Sequence, residues 1–282
     1  MANAAPHIAE TPSGKGAGDE NFPVGSILLP ARLRPHVAIF YAYARAIDDI
    51  ADNPDLPAEE KVKRLDGFDK ALIGENMDSA YDKAHKVSRS FREMDVPIRH
   101  CRDLISAFKQ DATKLRYDDW DDLIGYCNRS AAPVGRYLLD LHGESRDGYP
   151  ANDALCNALQ VLNHLQDFGD DRRELDRVYL PGDWMAAAGV TVADIDAPAM
   201  SPGLRRVVDQ CLDATDELLA LARSLPGQLR SNRLRMESAA IVHIAMRLSR
   251  HLRRRDPLAE RVELTSYEYV WCCLLGAGRF FF

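Results

Sequence analysis

Apolar positions recur three and four residues apart along almost the whole chain, and this spacing predicts helices. Pro35 suits the first turn of a helix that ends near Asp52. Asn53-Pro54-Asp55-Leu56-Pro57 reads as a turn. Helices are predicted over about 58–73, 77–93 and 98–115, with Asp95-Val96-Pro97 separating the last two. Another spans about 119–142 and is closed by Gly143, a C-terminal capping residue. A loop through Gly148-Tyr149-Pro150 leads to a helix over 151–171. Then comes an irregular stretch, 172–202, with a short helix near Trp184–Ala188. Helices over 203–225, 231–254 and 265–278 complete the pattern. Few stretches alternate with period two, and clusters of Val, Ile and Thr are sparse, so strands are not expected. With no fixed-period repeat and no clear linker, the pattern predicts an all-α fold. It has one domain over residues 21–282, preceded by a disordered Ala/Gly/Ser/Pro-rich leader over 1–20.

Two places break the apolar periodicity with acid. One is Asp48-Asp49-Ile50-Ala51-Asp52; the other is Asn163-His164-Leu165-Gln166-Asp167-Phe168-Gly169-Asp170-Asp171. Each sets carboxylates four residues apart on one helix face, where like charges repel by roughly 0.2–0.5 kcal/mol per pair. At about 100° per residue, Tyr41, Arg45, Asp48 and Asp52 fall within a sector roughly 60° wide. Gln160, Asn163, Asp167 and Asp171 form a second such row. A lone acidic pair is usually a solvated helix face. Two pairs, each among apolar residues and each sharing its face with Arg, Asn or Gln, point to a divalent cation. Facing one another across a cavity, the rows would make an oxygen-rich cage. Mg²⁺ takes oxygen ligands, often one or two carboxylates plus substrate phosphates. The predicted chemistry is therefore Mg²⁺-assisted handling of a diphosphate. Asp48, Asp52, Asn163 and Asp167 are the first-choice ligands; Asp171 and Asp49 come second.

Composition narrows this picture. Of 282 residues, 46% are apolar and 28% charged, as in an ordinary globule, and the net charge of −7 argues against nucleic acid as a partner. No apolar run reaches the ~18–20 residues that would span a bilayer. The N-terminus lacks the basic and apolar regions of a signal peptide. Cys101, Cys127, Cys156, Cys211, Cys272 and Cys273 show no zinc-type spacing and read as reduced core thiols of a cytoplasmic protein.

Around the acidic rows lie further candidates. Arg45 suits bidentate binding of phosphate oxygens or an ion pair with Asp48 or Asp49. Arg172, Arg173 and Arg177 follow the second row, as phosphate ligands or as a solvated basic loop. Tyr41, Tyr43, Phe40 and Phe22 supply aromatic faces near the first row, which would steady a carbocation left by diphosphate loss or simply pack. His164 lacks the Glu-x-x-His partner of a di-iron bundle and reads as a packed or capping histidine. Small residues and Pro133 interrupt the helix around Tyr126–Arg136. They would line a channel for a long apolar chain or allow close helix packing.

These motifs together resemble the squalene/phytoene synthase family of head-to-head prenyl transferases, over nearly all of residues 21–278. The resemblance is carried by Tyr41-Ala-Tyr-Ala-Arg45-Ala-Ile-Asp48-Asp49-Ile-Ala-Asp52, by Tyr126-Cys127 with Val134-Gly135, by Leu162-Asn163-His-Leu-Gln-Asp167-Phe-Gly-Asp170-Asp171, and by Arg177-Val178-Tyr179-Leu180-Pro181. It implies an isoprenoid-synthase-type helical bundle around a central cavity, two or three Mg²⁺ ions at the Asp motifs, and prenyl diphosphate substrates. It places Phe22, Tyr41, Arg45, Tyr126, Val134, Gln160 and Arg177 at the substrate. It gives catalytic weight to Asp48, Asp52, Asp167 and Asp171 beside Tyr41 and Arg45.

Within the family, Glu20-Asn21-Phe22-Pro23-Val24-Gly25-Ser26 and Ala131-Ala132-Pro133-Val134-Gly135-Arg136 resemble the bacterial hopanoid-pathway subgroup known as HpnC. That resemblance implies ionisation of presqualene diphosphate, rearrangement, and capture by water to give hydroxysqualene. No NAD(P)H is expected, and the substrate would arrive from an upstream presqualene diphosphate synthase. One departure concerns the C-terminal stretch Arg255–Val262, which lacks the tyrosine many relatives carry before an Arg-Val pair. Its absence bears on the first coupling step. The alternatives are a presqualene diphosphate synthase, a reductive squalene- or phytoene-type synthase, and a catalytically dead scaffold; a scaffold should have lost the acids retained here. The tail from Leu274 to Phe282 is apolar enough for a peripheral contact with the inner membrane face, and equally suits docking on the bundle.

Overall fold

A computed structural model of the chain describes residues 9–10 and 29–278. The motif over Glu20–Ser26, Phe22 included, lies outside the described residues. So does the leader apart from Ala9, which is buried, and Glu10, whose carboxylate meets Lys83 Nζ at 2.5 Å. The described residues are helical nearly throughout, as the periodicity predicts, and the chain divides into two compact units, residues 1–113 and 114–282.

Among the described residues the first unit holds four α-helices: α1 (Arg34–Asp52), α2 (Ala58–Leu72), α3 (Asp82–Glu93) and α4 (Arg99–Asp111). Pro35 lies in the first turn of α1, where its missing N–H would have had no intrahelical partner. Glu59 and Glu60 place negative charge at the positive end of α2. The apolar side of α1, through Val37, Phe40, Tyr43, Ile47 and Ile50, is buried. Tyr43 is sealed within it and donates its hydroxyl to the Cys101 carbonyl of α4 at 3.0 Å.

The second unit contains β1 (Arg116–Tyr117), α5 (Trp120–Ser130), α6 (Ala132–Leu141), α7 (Tyr149–Leu175) and β2 (Val178–Pro181). After these come α8 (Gly182–Ala187), α9 (Pro202–Ala222), α10 (Leu225–Gln228), α11 (Asn232–Leu252) and α12 (Ser266–Gly278). Here α7 packs against α6, α9 and α11, and α12 lies along α11. The expected single helix over 119–142 is two: α5 ends at Ser130, and Pro133 sits in the first turn of α6 rather than kinking a continuous helix. Two short strands also occur where none was expected. β1 pairs in parallel with β2, Arg116 opposite Val178.

Residues before the helices of this unit cap them locally. Asp119 accepts from the Asp122 N–H at 2.9 Å, and Ser201 from that of Leu204 at 3.1 Å. At its other end α7 stops at Asp176, which takes the left-handed conformation (φ 52°). The six cysteines are all free thiols; Cys101, Cys127, Cys211 and Cys272 are buried as read from the sequence, whereas Cys156 and Cys273 are part-exposed rather than core.

Candidate functional site

Each unit carries one of the acidic rows. In the first, Tyr41, Arg45, Asp48 and Asp52 lie on α1, opposite its buried side. Arg45 Nη1 is 3.2 Å from Asp48 Oδ2, and its Nε donates to Asp49 Oδ1 at 2.9 Å. Of the two roles open to Arg45, the ion pair is therefore formed, with both acids. Burial pushes the Asp48 carboxyl well above the usual carboxylate range. The Asp52 charge pushes it further, Arg45 opposes, and Asp111 and Asp49 add to the rise. Asp111, buried at the end of α4, was not among the sequence candidates. It has no acidic partner at helical spacing, so only the packing of α4 against α1 reveals it.

In the second unit, Gln160, Asn163, Asp167 and Asp171 run along α7. Burial raises Asp167 and the Asp171 carboxylate adds to it, with Arg261 acting the other way. The three arginines after this row separate. Arg172 pairs with Asp176 at 2.5 Å and with Asp196 at 3.3 Å, and Arg173 pairs with Asp170, so both hold surface acids. Arg177 is only 4% exposed. Its backbone N–H donates to the Asp171 carbonyl at 3.1 Å, a bond made possible by the left-handed turn at Asp176.

The pairing of β1 with β2 assembles an aromatic cluster beside α7. Tyr117 and Tyr179 stack with ring centres 5.5 Å apart, and Tyr126 of α5 lies 5.5 Å from one and 5.6 Å from the other. His164 completes it, 3.6 Å from the Tyr179 ring and 10° from parallel. Tyr126 thus joins residues that the sequence candidates did not include, Tyr117 and Tyr179. Val134 is half-buried on α6. Next to it, a Cβ on Gly135 would lie 2.4 Å from Asn152 Oδ1 and 2.6 Å from Cys156 Sγ, so the small residue at this position serves close α6–α7 packing.

The carboxylates fit a divalent cation electrostatically. Asp48 and Asp167 are each raised by burial and by a neighbouring acid, a cost that a bound cation removes. Among the described residues no three His, Cys, Asp or Glu side chains gather into a self-sufficient metal cluster.

The chain belongs to the squalene/phytoene synthase family, whose model matches residues 16–268. These are head-to-head prenyl transferases acting on prenyl diphosphates, so the resemblance read from the motifs holds. Its relatives include a protein of Rhodopseudomonas palustris named hydroxysqualene synthase, 44% identical over 262 residues, covering 93% of this chain and 89% of that protein. A protein of Zymomonas mobilis with the same name is 39% identical over 270 residues, covering 95% and 91%. Among solved structures, one described as squalene synthase HpnC from Alicyclobacillus acidocaldarius superposes with a TM-score of 0.72 at 30% identity, over 83% of this chain and 88% of that one. A dehydrosqualene synthase solved with a ligand has a TM-score of 0.75 at 19% identity, over 89% and 88%, which speaks for the fold alone.

Proposed function

We propose that this chain is a hydroxysqualene synthase: it ionises presqualene diphosphate and lets water capture the rearranged cation. The reading is carried by the near full-length similarity to the Rhodopseudomonas and Zymomonas proteins of that name. In the proposed reaction the carbon–oxygen bond to the diphosphate breaks, with both electrons leaving on the diphosphate. Cyclopropylcarbinyl rearrangement moves the positive charge. A water oxygen supplies the pair for the new carbon–oxygen bond, and its proton passes to the released diphosphate. Nothing is oxidised or reduced, so no NAD(P)H is needed.

In this reading residues 21–282 act as one prenyl-diphosphate-processing domain. Two or three Mg²⁺ ions, held by Asp48, Asp52, Asn163, Asp167 and Asp171, would supply charge neutralisation at the leaving diphosphate. Arg177 binds phosphate oxygens, and Arg45 joins it by exchanging its Asp48 or Asp49 partner for the diphosphate. Tyr41, Phe22, Val134 and Gln160 flank the prenyl chains. The electron-rich faces of Tyr126, Tyr117 and Tyr179 steady the cation while buried apolar side chains keep out bulk water. The test is incubation of the purified protein with presqualene diphosphate, with Mg²⁺ or with chelator, each with and without NADPH. Hydroxysqualene in both Mg²⁺ tubes and neither chelated tube is expected. Squalene appearing only with NADPH would shift the assignment to a reductive synthase. Turnover of farnesyl diphosphate alone would make it the presqualene diphosphate synthase that this reading places upstream. No turnover of either, with no Mg²⁺-dependent diphosphate binding, would leave a scaffold.

We further propose that the protein works at the cytoplasmic face of a membrane through α12. No helix among the described residues is long and apolar enough to cross a bilayer. Yet Tyr267, Val270, Trp271, Leu274 and Leu275 are exposed on α12 at helical spacing, with Tyr267 at 76% and Trp271 at 51%. A bilayer is the occupant that suits them. Aromatic rings with polar tips favour the interface, and a C30 alcohol must leave for lipid. The helix is clasped to α11 by Glu268, which accepts from Arg247 and meets His251, both at 2.8 Å. Co-sedimentation with phosphatidylethanolamine–phosphatidylglycerol vesicles is expected, weakened about ten-fold in a Trp271→Glu, Leu274→Glu variant. A wild-type protein that stays in the supernatant, or a variant that pellets equally, refutes the contact.

A further inference from the structure

Near the middle of α7, where a helix in a well-packed core would carry an apolar residue, stands His164, only 5% exposed. Its ring lies flat on Tyr179 at 3.6 Å, with Tyr126 6.1 Å away, so it cannot rotate freely between partners. Its Nε2 is 3.1 Å from the side-chain nitrogen of Gln160, one turn earlier. An amide nitrogen only donates, so His164 Nε2 accepts from it, and the Nδ1 edge of the ring is turned away from Gln160. That edge lies on the Asp171 side, 3.9 Å from Oδ2. Gln160 is half-buried, and its Oε1 accepts no hydrogen bond among the described residues. Burying two polar side chains costs free energy unless their hydrogen-bonding capacity is used. The pair uses one half of Gln160 and leaves the acceptor half free.

We propose that His164 is a positioning residue that fixes the Gln160 amide so that Oε1 holds the capturing water. A water donating one hydrogen to Oε1 presents an oxygen lone pair in a direction set by the amide, and the amide is set by a ring stacked on Tyr179 with Tyr126 beside it. His164 does not exchange a proton in this role. The inference rests on the hydration reading above and names the group that makes it selective. A cation that meets no oriented water instead loses a proton to give C30 hydrocarbons.

The experiment measures product ratio, which a merely structural defect leaves unchanged. Wild type, His164→Phe, His164→Gln and Gln160→Met are each given Mg²⁺ and presqualene diphosphate, and the products are resolved by mass spectrometry. His164→Phe keeps the stack and removes the acceptor. The share of alcohol among its products is expected to fall about ten-fold, the weight of one hydrogen bond. His164→Gln, which still accepts from Gln160, is expected to recover part of it. Gln160→Met tests the same bond from the other side without disturbing the stack, and so keeps the question open to refutation if His164→Phe does not fold. An unchanged alcohol share in the variants that fold overturns the role of His164 while the hydration reading stands. A wild-type protein that makes no hydroxysqualene overturns both.

Discussion

Asp48→Asn or Asp167→Asn is expected to lower turnover of presqualene diphosphate by about 10³-fold, the usual weight of one group that stabilises developing charge. In Mg²⁺-free buffer the same variants are expected to melt at a higher temperature than the wild type. Both expectations have one origin. Burial and a neighbouring acid hold each carboxyl above its ordinary range. A carboxyl raised in this way binds its proton more tightly in the folded chain than in the unfolded one. Folding stability therefore falls as pH rises from the ordinary carboxylate range through the raised value. Asparagine has nothing to ionise and escapes that loss. The gain should be largest at neutral pH and vanish below about pH 4, where both states of the wild type are protonated. A thermal scan across pH, run beside a steady-state assay, separates the outcomes. Retained activity removes the residue from the machinery. A lowered melting temperature at neutral pH would mean that the carboxylate is a net structural support, contrary to its surroundings.

Glu144→Ala is expected to destabilise the fold by about 3 kcal/mol, enough to drop the melting temperature by roughly 5–10 °C. Glu144 follows α6, is 8% exposed, and uses both carboxylate oxygens on consecutive backbone amides. Oε2 accepts from the Arg230 N–H at 2.8 Å and Oε1 from that of Ser231 at 2.7 Å. Ser231 in turn caps α11 through its hydroxyl. Alanine removes both acceptors, and nothing else on the side chain can replace them. Glu144→Gln keeps one acceptor and should fall between alanine and wild type. Denaturant melts of the three proteins decide the matter; equal midpoints would mean that solvent replaces the carboxylate without cost.

What the sequence disclosed and what it hid divide along the range of the interactions. The extents of α1, α9 and α12 follow from local pattern and punctuation: Pro35, the Ser201-Pro202 pair and the Ser/Thr before Tyr267 stand beside apolar residues at helical spacing. The break between α5 and α6 was hidden because Pro133 is as much at home in a first turn as in a kink. β1 and β2 are too short to show alternation, and their pairing joins segments some sixty residues apart. The acidic rows were legible because i, i+4 spacing is a property of one helix. Their electrostatic surroundings were not, since Asp111 reaches Asp48 from another helix and Arg261 reaches Asp167 from beyond α11. His164 had read as a packing or capping group for the same reason. Its stack on Tyr179 emerges only once β2 lies beside α7, whereas its bond to Gln160 spans a single turn of α7.

The cysteines have a practical consequence. Burial pushes the Cys101 and Cys211 thiols up, and burial with the nearby Asp153 carboxylate takes Cys156 to about 12. The thiolate is the reactive form, so at neutral pH these sulfurs present almost none to an electrophile or an oxidant. At the buried Cys101 and Cys211, an alkylating reagent gains access only in molecules whose helices have parted. The rate of labelling at Cys101 times the opening of the first unit, and the rate at Cys211 times that of the second. The chain thus carries its own reporters of breathing, one in each half.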